Sequence, residues 1–152
     1  MTARILIVDD EPDILSALGR MLMSEGHDVD CAASAEDALE LLDRMSFDLV
    51  LTDLSMPRVD GFELLSRMRQ RRDDTPTLVI SGAGSVETAV KAIRLGALDF
   101  LEKPVHRERL ALTVQNALRF AQLQEVHGRL QAELSYDQDL IGRGQAMQRL
   151  LS

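Results

Sequence analysis

ILIVDDEPD, residues 5–13, sets four branched apolar residues directly against Asp9, Asp10 and Glu11 and closes with Pro12 and Asp13. A run that is apolar without alternation is the mark of a strand covered on both faces, as in parallel sheets. Pro12 suits the first turn of a helix, where its missing N–H would have been unpaired in any case. The stretch therefore reads as a buried strand, an acidic turn and a helix start. It also poses a physical problem, because neighbouring carboxylates repel one another and resist losing water.

Working outward, the same pattern returns. LVLT (49–52) and LVIS (78–81) are further unbroken apolar runs, and DVDCA (28–32) after Gly26 and LDFLE (98–102) after Gly96 are weaker strands. Between them the period lengthens to that of a helix. Leu15, Leu18 and Leu22 mark the first helix; Ala35, Ala38, Leu39 and Leu42 mark the second, with Ser34 as N-cap and Asp37 three residues on. Phe62, Leu65 and Met68 mark the third, and Val86, Ala89, Val90 and Ile93 the fourth, behind Ser85. Leu110, Val114, Ala117, Leu118 and Ala121 would pack a fifth helix on the sheet. Five strand–helix pairs in strict alternation predict an open, doubly wound α/β sheet.

Composition narrows the class. The 152 residues are 45% hydrophobic, enough for one domain with its own core and a short appendage. With only five aromatic residues, that core must be aliphatic. A lone cysteine, Cys31, can form no internal disulfide, which suits a reducing compartment. No charged segment followed by a long apolar run opens the chain, and no stretch reaches the roughly 20 apolar residues a membrane helix needs. A cytoplasmic protein without membrane contact is expected.

The net charge is −8, and residues 1–104 hold 11 Lys and Arg against 20 Asp and Glu. Direct binding of nucleic acid requires clustered cations. The one basic run, Arg67, Arg69, Arg71 and Arg72, reads as a solvated helix end. The methionines read as core filler or surface rather than ligands. GAG at 82–84 lacks the ending of a phosphate-binding loop and reads as loop before a helix.

In an open α/β sheet the ligand crevice lies outside the carboxyl ends of the strands. Those ends carry Asp9 and Asp10, Asp53, Ser81 and, just past the fifth strand, Lys103. Taken singly, Asp9 or Asp10 would serve as a helix cap and Asp53 as a turn residue. Together they gather acids on one edge, where a cation is the simplest neutraliser. Magnesium fits best: it prefers oxygen ligands and is commonly held by one or two carboxylates together with phosphate oxygens. A carboxylate beside such a cation can attack a phosphoryl group in line. Asp53 is the candidate nucleophile. Lys103 would neutralise charge on the transferring oxygens, and Ser81 would donate a hydrogen bond to them.

VDDEPD (8–13), LTDLSMPRVDG (51–61), SG (81–82) and FLEKP (100–104) together resemble the receiver domain of bacterial response regulators in two-component signalling, over about residues 3–120. The resemblance implies a flavodoxin-like sheet in the order 2-1-3-4-5. It also implies that Asp53 accepts phosphate from a sensor histidine kinase. Asp10 would bind Mg2+, or Mn2+ in its place, directly, Asp9 through water and Ser55 through its backbone carbonyl. Lys103 would pair with the phosphoryl group, the Lys103–Pro104 peptide would be cis, and Ser81 and Phe100 would form a switch pair. Phe100 stands where many relatives have Tyr, so its rotamer would be decided by packing alone. Ser55 and Ala83 offer no acid or amide to orient an attacking water, which predicts a slowly hydrolysed aspartyl phosphate. Such a domain regulates rather than catalyses.

The helical pattern runs on through Leu123, Val126, Leu130 and Leu134, with no Pro and only Gly128. An exposed apolar stripe of that length predicts a homodimer through the fifth helix and a coiled-coil linker over 121–137. The ending, LIGRGQAMQRLLS (140–152), resembles the opening of the AAA+ module in nitrogen-regulatory-type transcription activators that work with sigma-54 RNA polymerase. Residues 138–152 would then begin that module, and polymerase and DNA would be met only by domains beyond it. Two alternatives are a stand-alone receiver acting as a protein-binding adaptor and a Mg-dependent phosphohydrolase with an aspartyl intermediate. The second usually wants an acid two positions after the nucleophile, where Ser55 stands.

Overall fold

The computed structural model describes residues 2–82 and 86–140, with side chains through residue 123. Five parallel strands, β1 (Arg4–Val8), β2 (Asp28–Ala32), β3 (Leu49–Asp53), β4 (Thr77–Ser81) and β5 (Asp99–Glu102), alternate with five helices. These are α1 (Pro12–Ser24), α2 (Ala35–Arg44), α3 (Gly61–Gln70), α4 (Val86–Arg94) and α5 (Arg107–Leu140). The strand order is β2-β1-β3-β4-β5, the doubly wound sheet expected. Because β1 is paired on one side to β2 and on the other to β3, the order reverses at β1, which opens the crevice at its carboxyl end.

Strand parity explains the unbroken apolar runs. Ile5, Ile7, Leu49, Leu51, Leu78, Ile80 and Leu101 pack on Leu18 and Leu22 of α1 and on Leu110, Val114, Ala117 and Leu118 of α5. Leu6, Val8 and Val50 face the other way, onto Ala35 and Ala38 of α2 and Leu64 and Met68 of α3. Every residue of β3 and β4 is buried, and their polar residues, Thr52, Asp53, Thr77 and Ser81, stand only at or next to the strand ends.

Local chemistry sets the helix ends. Ser34 Oγ accepts the Asp37 N–H and caps α2, and Asp60 Oδ1 accepts the Glu63 N–H and caps α3. Glu11, not Asp9 or Asp10, is the N-cap of α1, and it makes no side-chain cap bond. At the end of α1 the Gly26 and His27 amides bond back to the Met23 and Leu22 carbonyls, with Gly26 at φ 90°, a left-handed stop that glycine takes without penalty. Arg72 closes α3 in the same pattern at φ 55°.

The fourth helix departs from its sequence reading. Val86, Val90 and Ile93 mark the helical period, yet they are exposed, and the buried residue of α4 is Ala92. A nine-residue helix against a sheet edge needs only a small residue to seat it, so apolar spacing located the helix and misled about its buried face. Ser85, which precedes it in sequence, lies outside the described residues, as do Ala83 and Gly84.

Grouping by contacts divides the chain into two units, Met1–Leu118 and Arg119–Ser152. The first holds the sheet. The second begins within α5, whose backbone continues helical to Leu140. The side chains of Val126, Leu130 and Leu134, and residues 141–152 with Met147, lie outside the described part. Among the described residues no helix is long and apolar enough to cross a membrane.

Candidate metal and phosphoacceptor site at the strand ends

Asp53 ends β3, Asp9 follows β1 by one residue and Lys103 follows β5 by one. All three continue the parity of the residues that face α1 and α5, so the period of two along each strand carries them to one side of the rim. There the Lys103 ammonium lies 3.3 Å from Asp53 Oδ2 and 3.5 Å from Asp9 Oδ2. Asp10 completes the group on its exposed flank, and one carboxylate oxygen from each of Asp9, Asp10 and Asp53 lies within 4.8 Å of the others.

Backbone bonds hold these side chains. Asp9 is tied into the sheet by its N–H to the Ala32 carbonyl at 3.1 Å, and its Oδ1 accepts the Glu11 N–H at 2.9 Å, which turns the chain into α1. Leu54, the residue after Asp53, donates its N–H to Ile80 and accepts from Gly61, both at 3.0 Å. Thr52 Oγ1 donates to the Asp53 carbonyl at 3.0 Å. Lys103 donates its N–H to the Ser81 carbonyl at 2.9 Å, and the Lys103–Pro104 bond is cis. Between Asp53 and α3 the loop tightens around Arg58 at φ 69°, where Val59 donates to the Pro57 carbonyl at 2.9 Å.

Electrostatics at the rim are unbalanced. Burial raises the Asp9 carboxyl above its ordinary pKa; the Glu11 N–H opposes this, and the charge of Asp53 adds to it. Burial works against the Lys103 ammonium, but Asp53 and then Asp9 outweigh it and hold its pKa above the usual lysine value. Three carboxylates face one ammonium, which leaves two negative charges without a counterpart. Asp53 Oδ1 is buried and makes no hydrogen bond, the only such side-chain atom among the described residues. A buried acceptor without a donor is costly unless something is meant to meet it.

A small divalent cation fits all three observations. Its charge equals the deficit, the donors are all oxygen, and the orphaned Oδ1 supplies a ligand that no protein group has claimed. His27 lies elsewhere, its Nδ1 accepting the Ala3 N–H at 3.1 Å, and Cys31 is exposed on β2.

The remaining residues named from sequence are placed as follows. Ser81 is buried at the end of β4. Phe100 is half-buried on β5 against the cluster of Leu54, Leu65, Val79, Ala92 and Ala97. In register Ser81 is opposite Glu102 and Val79 opposite Phe100, so Ser81 and Phe100 share a sheet face on adjacent strands. The Ser55 side chain is exposed. Three of the run's four arginines are engaged within the protein: Arg67 pairs with Glu63, Arg69 donates to the Arg94 carbonyl, and Arg71 pairs with Asp43. Two contributors were missed from sequence, the Glu11 N–H and Gly61. The first has no side-chain signal, whereas the second stood in plain view at the end of LTDLSMPRVDG.

The family model described as response regulator receiver domain matches residues 5–115. The nitrogen assimilation regulatory protein NtrX of Azorhizobium caulinodans is 36% identical over 152 residues, 99% of this chain and 33% of its own length. The crystal structure of NtrX from Brucella abortus superposes with a TM-score of 0.81 at 39% identity, covering 86% of this chain and 30% of that one. A response regulator receiver domain protein from Clostridium thermocellum gives 0.75 at 30% identity, covering 80% and 98%. The chain thus spans about a third of the NtrX relatives and nearly all of the Clostridium thermocellum chain.

Proposed function

The chain belongs to the response regulator receiver domain family, and from that membership we propose that Asp53 takes a phosphoryl group from a sensor histidine kinase in a Mg2+-dependent reaction. The observation that carries this reading is the carboxylate of Asp53 itself: one oxygen is engaged by Lys103, while the other is buried, unpartnered and beside an uncompensated pair of charges.

In the proposed transfer an Asp53 oxygen attacks the phosphorus of a phosphohistidine on the kinase. The new O–P bond forms as the P–N bond breaks, and the departing imidazole nitrogen keeps the bonding pair and is reprotonated by solvent. Asp10 and Asp53, with the Ser55 carbonyl, would hold the metal directly and Asp9 through water; when bound, magnesium supplies positive charge to the phosphoryl oxygens. Lys103, already 3.3 Å from Asp53, would swing its ammonium from carboxylate to phosphoryl oxygen. Ser81 would then donate its hydroxyl to the phosphoryl group, and Phe100 would follow into the space behind it. Ser55, in place of an acid or amide two residues past Asp53, would leave attacking water unoriented and the phosphoryl group long-lived.

Downstream, the proposal is a homodimer made through α5 and its continuation, controlling a sigma-54-dependent activator module. Support comes from the NtrX of Azorhizobium caulinodans, which aligns over 99% of this chain, and from Phe120 and Leu123, which are exposed on the continuing helix. The test is to treat the protein with acetyl phosphate and Mg2+ and to follow intact mass and oligomer size beside Asp53→Ala. One phosphoryl group per chain, absent in Asp53→Ala, with a change in oligomer size, is expected. Steady turnover of the donor without a stable adduct would overturn the reading.

A further inference from the structure

Gly61 is buried, lies at the first position of α3 and adopts ordinary helical backbone, so no left-handed conformation requires a glycine there. Space does. A Cβ at this position would lie 2.5 Å from the Asp53 carbonyl oxygen, 2.8 Å from Leu54 Cα and 3.0 Å from Leu54 Cδ2. The two shorter contacts are to backbone, which cannot swing aside as a side-chain tip can.

We infer that Gly61 is a positioning residue for the phosphoacceptor: its missing side chain lets the first turn of α3 press directly on the Asp53–Leu54 backbone and so fixes where the Asp53 carboxylate stands. This rests on the reading of Asp53 as phosphoacceptor. Three bonds converge on the same few atoms. The Gly61 N–H donates to the Leu54 carbonyl, the Leu54 N–H donates to Ile80 of β4, and Thr52 Oγ1 donates to the Asp53 carbonyl. Leu54 is therefore pinned from the sheet on one side and from α3 on the other, with Asp53 just before it. Asp60 seats the turn by capping the Glu63 N–H at 2.9 Å. The carboxylate so placed meets Lys103 at 3.3 Å.

Adding one methyl group asks the backbone to yield 0.9 Å, the difference between 2.5 Å and the 3.4 Å at which ordinary contact begins. A displacement of about 1 Å at a reacting group costs on the order of 100-fold in rate. Gly61→Ala is thus expected to slow phosphorylation by acetyl phosphate about 10- to 100-fold. Magnesium affinity, which depends on the same carboxylate, should weaken several-fold.

The experiment measures, for wild type, Gly61→Ala, Asp60→Ala and Leu22→Ala, the phosphorylation rate by timed intact mass, the Kd for Mg2+ by amide chemical-shift titration, and Tm. Leu22 is buried in α1, away from the rim, so Leu22→Ala lowers stability without touching the site. A merely structural Gly61 would behave like Leu22, with Tm reduced while rate and Kd hold well below Tm; that result overturns the inference. Should Gly61→Ala fail to fold, Asp60→Ala decides, since it loosens the same turn without adding an atom beside Asp53. A rate reduced about 3- to 10-fold supports the inference, and a rate equal to wild type overturns it. A wild type that takes no phosphoryl group would sink the Asp53 reading instead, leaving the Mg2+ Kd of Gly61→Ala to judge the positioning role.

Discussion

Replacing Asp53 by Asn is expected to stabilise the metal-free fold while abolishing phosphorylation. Carboxylate oxygens of Asp9 and Asp10 lie within 4.8 Å of one of Asp53; at an effective dielectric of about 20 the repulsion from buried Asp9 is worth ~3.5 kcal/mol, and that from solvent-exposed Asp10 up to about 1. The attraction lost is that of Lys103 at 3.3 Å, ~5 kcal/mol on the same scale, and Lys103 keeps Asp9 at 3.5 Å. Release from burying a charge whose Oδ1 has no donor adds roughly 1–3 kcal/mol in favour of Asn. The balance is a gain of roughly 1–2 kcal/mol at neutral pH. Urea unfolding in EDTA and in Mg2+, followed by circular dichroism, measures it. Wild type at 100-fold excess of Mg2+ over its Kd should gain ~2.7 kcal/mol, and Asp53→Asn clearly less, having lost a ligand. An Asp53→Asn protein less stable than wild type in EDTA would refute the charge accounting, because the carboxylate would then be held by favourable contacts rather than awaiting a cation.

Two further outcomes concern the scaffold. His27 Nδ1 accepts the Ala3 N–H, and burial lowers the pKa of the ring, Glu25 partly opposing. The unfolded chain therefore binds the proton more readily, so stability is complete above the unfolded pKa of about 6.5 and is lost as pH falls through it toward the lower folded value; urea midpoints should fall between about pH 7.5 and 5.5, and His27→Gln should flatten that slope. Arg72 sits at φ 55° in the left-handed stop of α3, a conformation costing a non-glycine residue about 1 kcal/mol, so Arg72→Gly should raise the unfolding free energy by that order. An unchanged or lower midpoint would mean that the arginine side chain returns what its backbone loses.

What could be read from the sequence follows from which forces are local. β1, β3 and β4 were legible because burial on both faces leaves no room for alternation, and even their ends were marked, since Asp9, Asp53 and Lys103 stand where the apolar runs stop. Ser34 and Asp37 announced the α2 cap through a spacing that hydrogen bonding imposes. The buried face of α4 was not legible, because Val86, Val90 and Ile93 have the spacing of a core face while only neighbouring elements decide which side is covered. Nor was the role of Gly61, whose reason is a tertiary approach to the Asp53 carbonyl. At the site, residue types and strand ends foretold which acids gather at the rim. What they could not foretell was the division of labour within the Asp53 carboxylate, one oxygen on Lys103 and one on nothing, which is settled only by the fold.

The most direct measurement is a Mg2+ titration of the isotopically labelled protein, followed amide by amide. Saturable shifts confined to residues 9–11, 53–55 and 103, lost in Asp10→Asn, are the predicted result. Shifts spread evenly over the acidic surface, or none at the carboxyl edge of the sheet, would contradict the claim that these three aspartates stand together to receive a divalent ion.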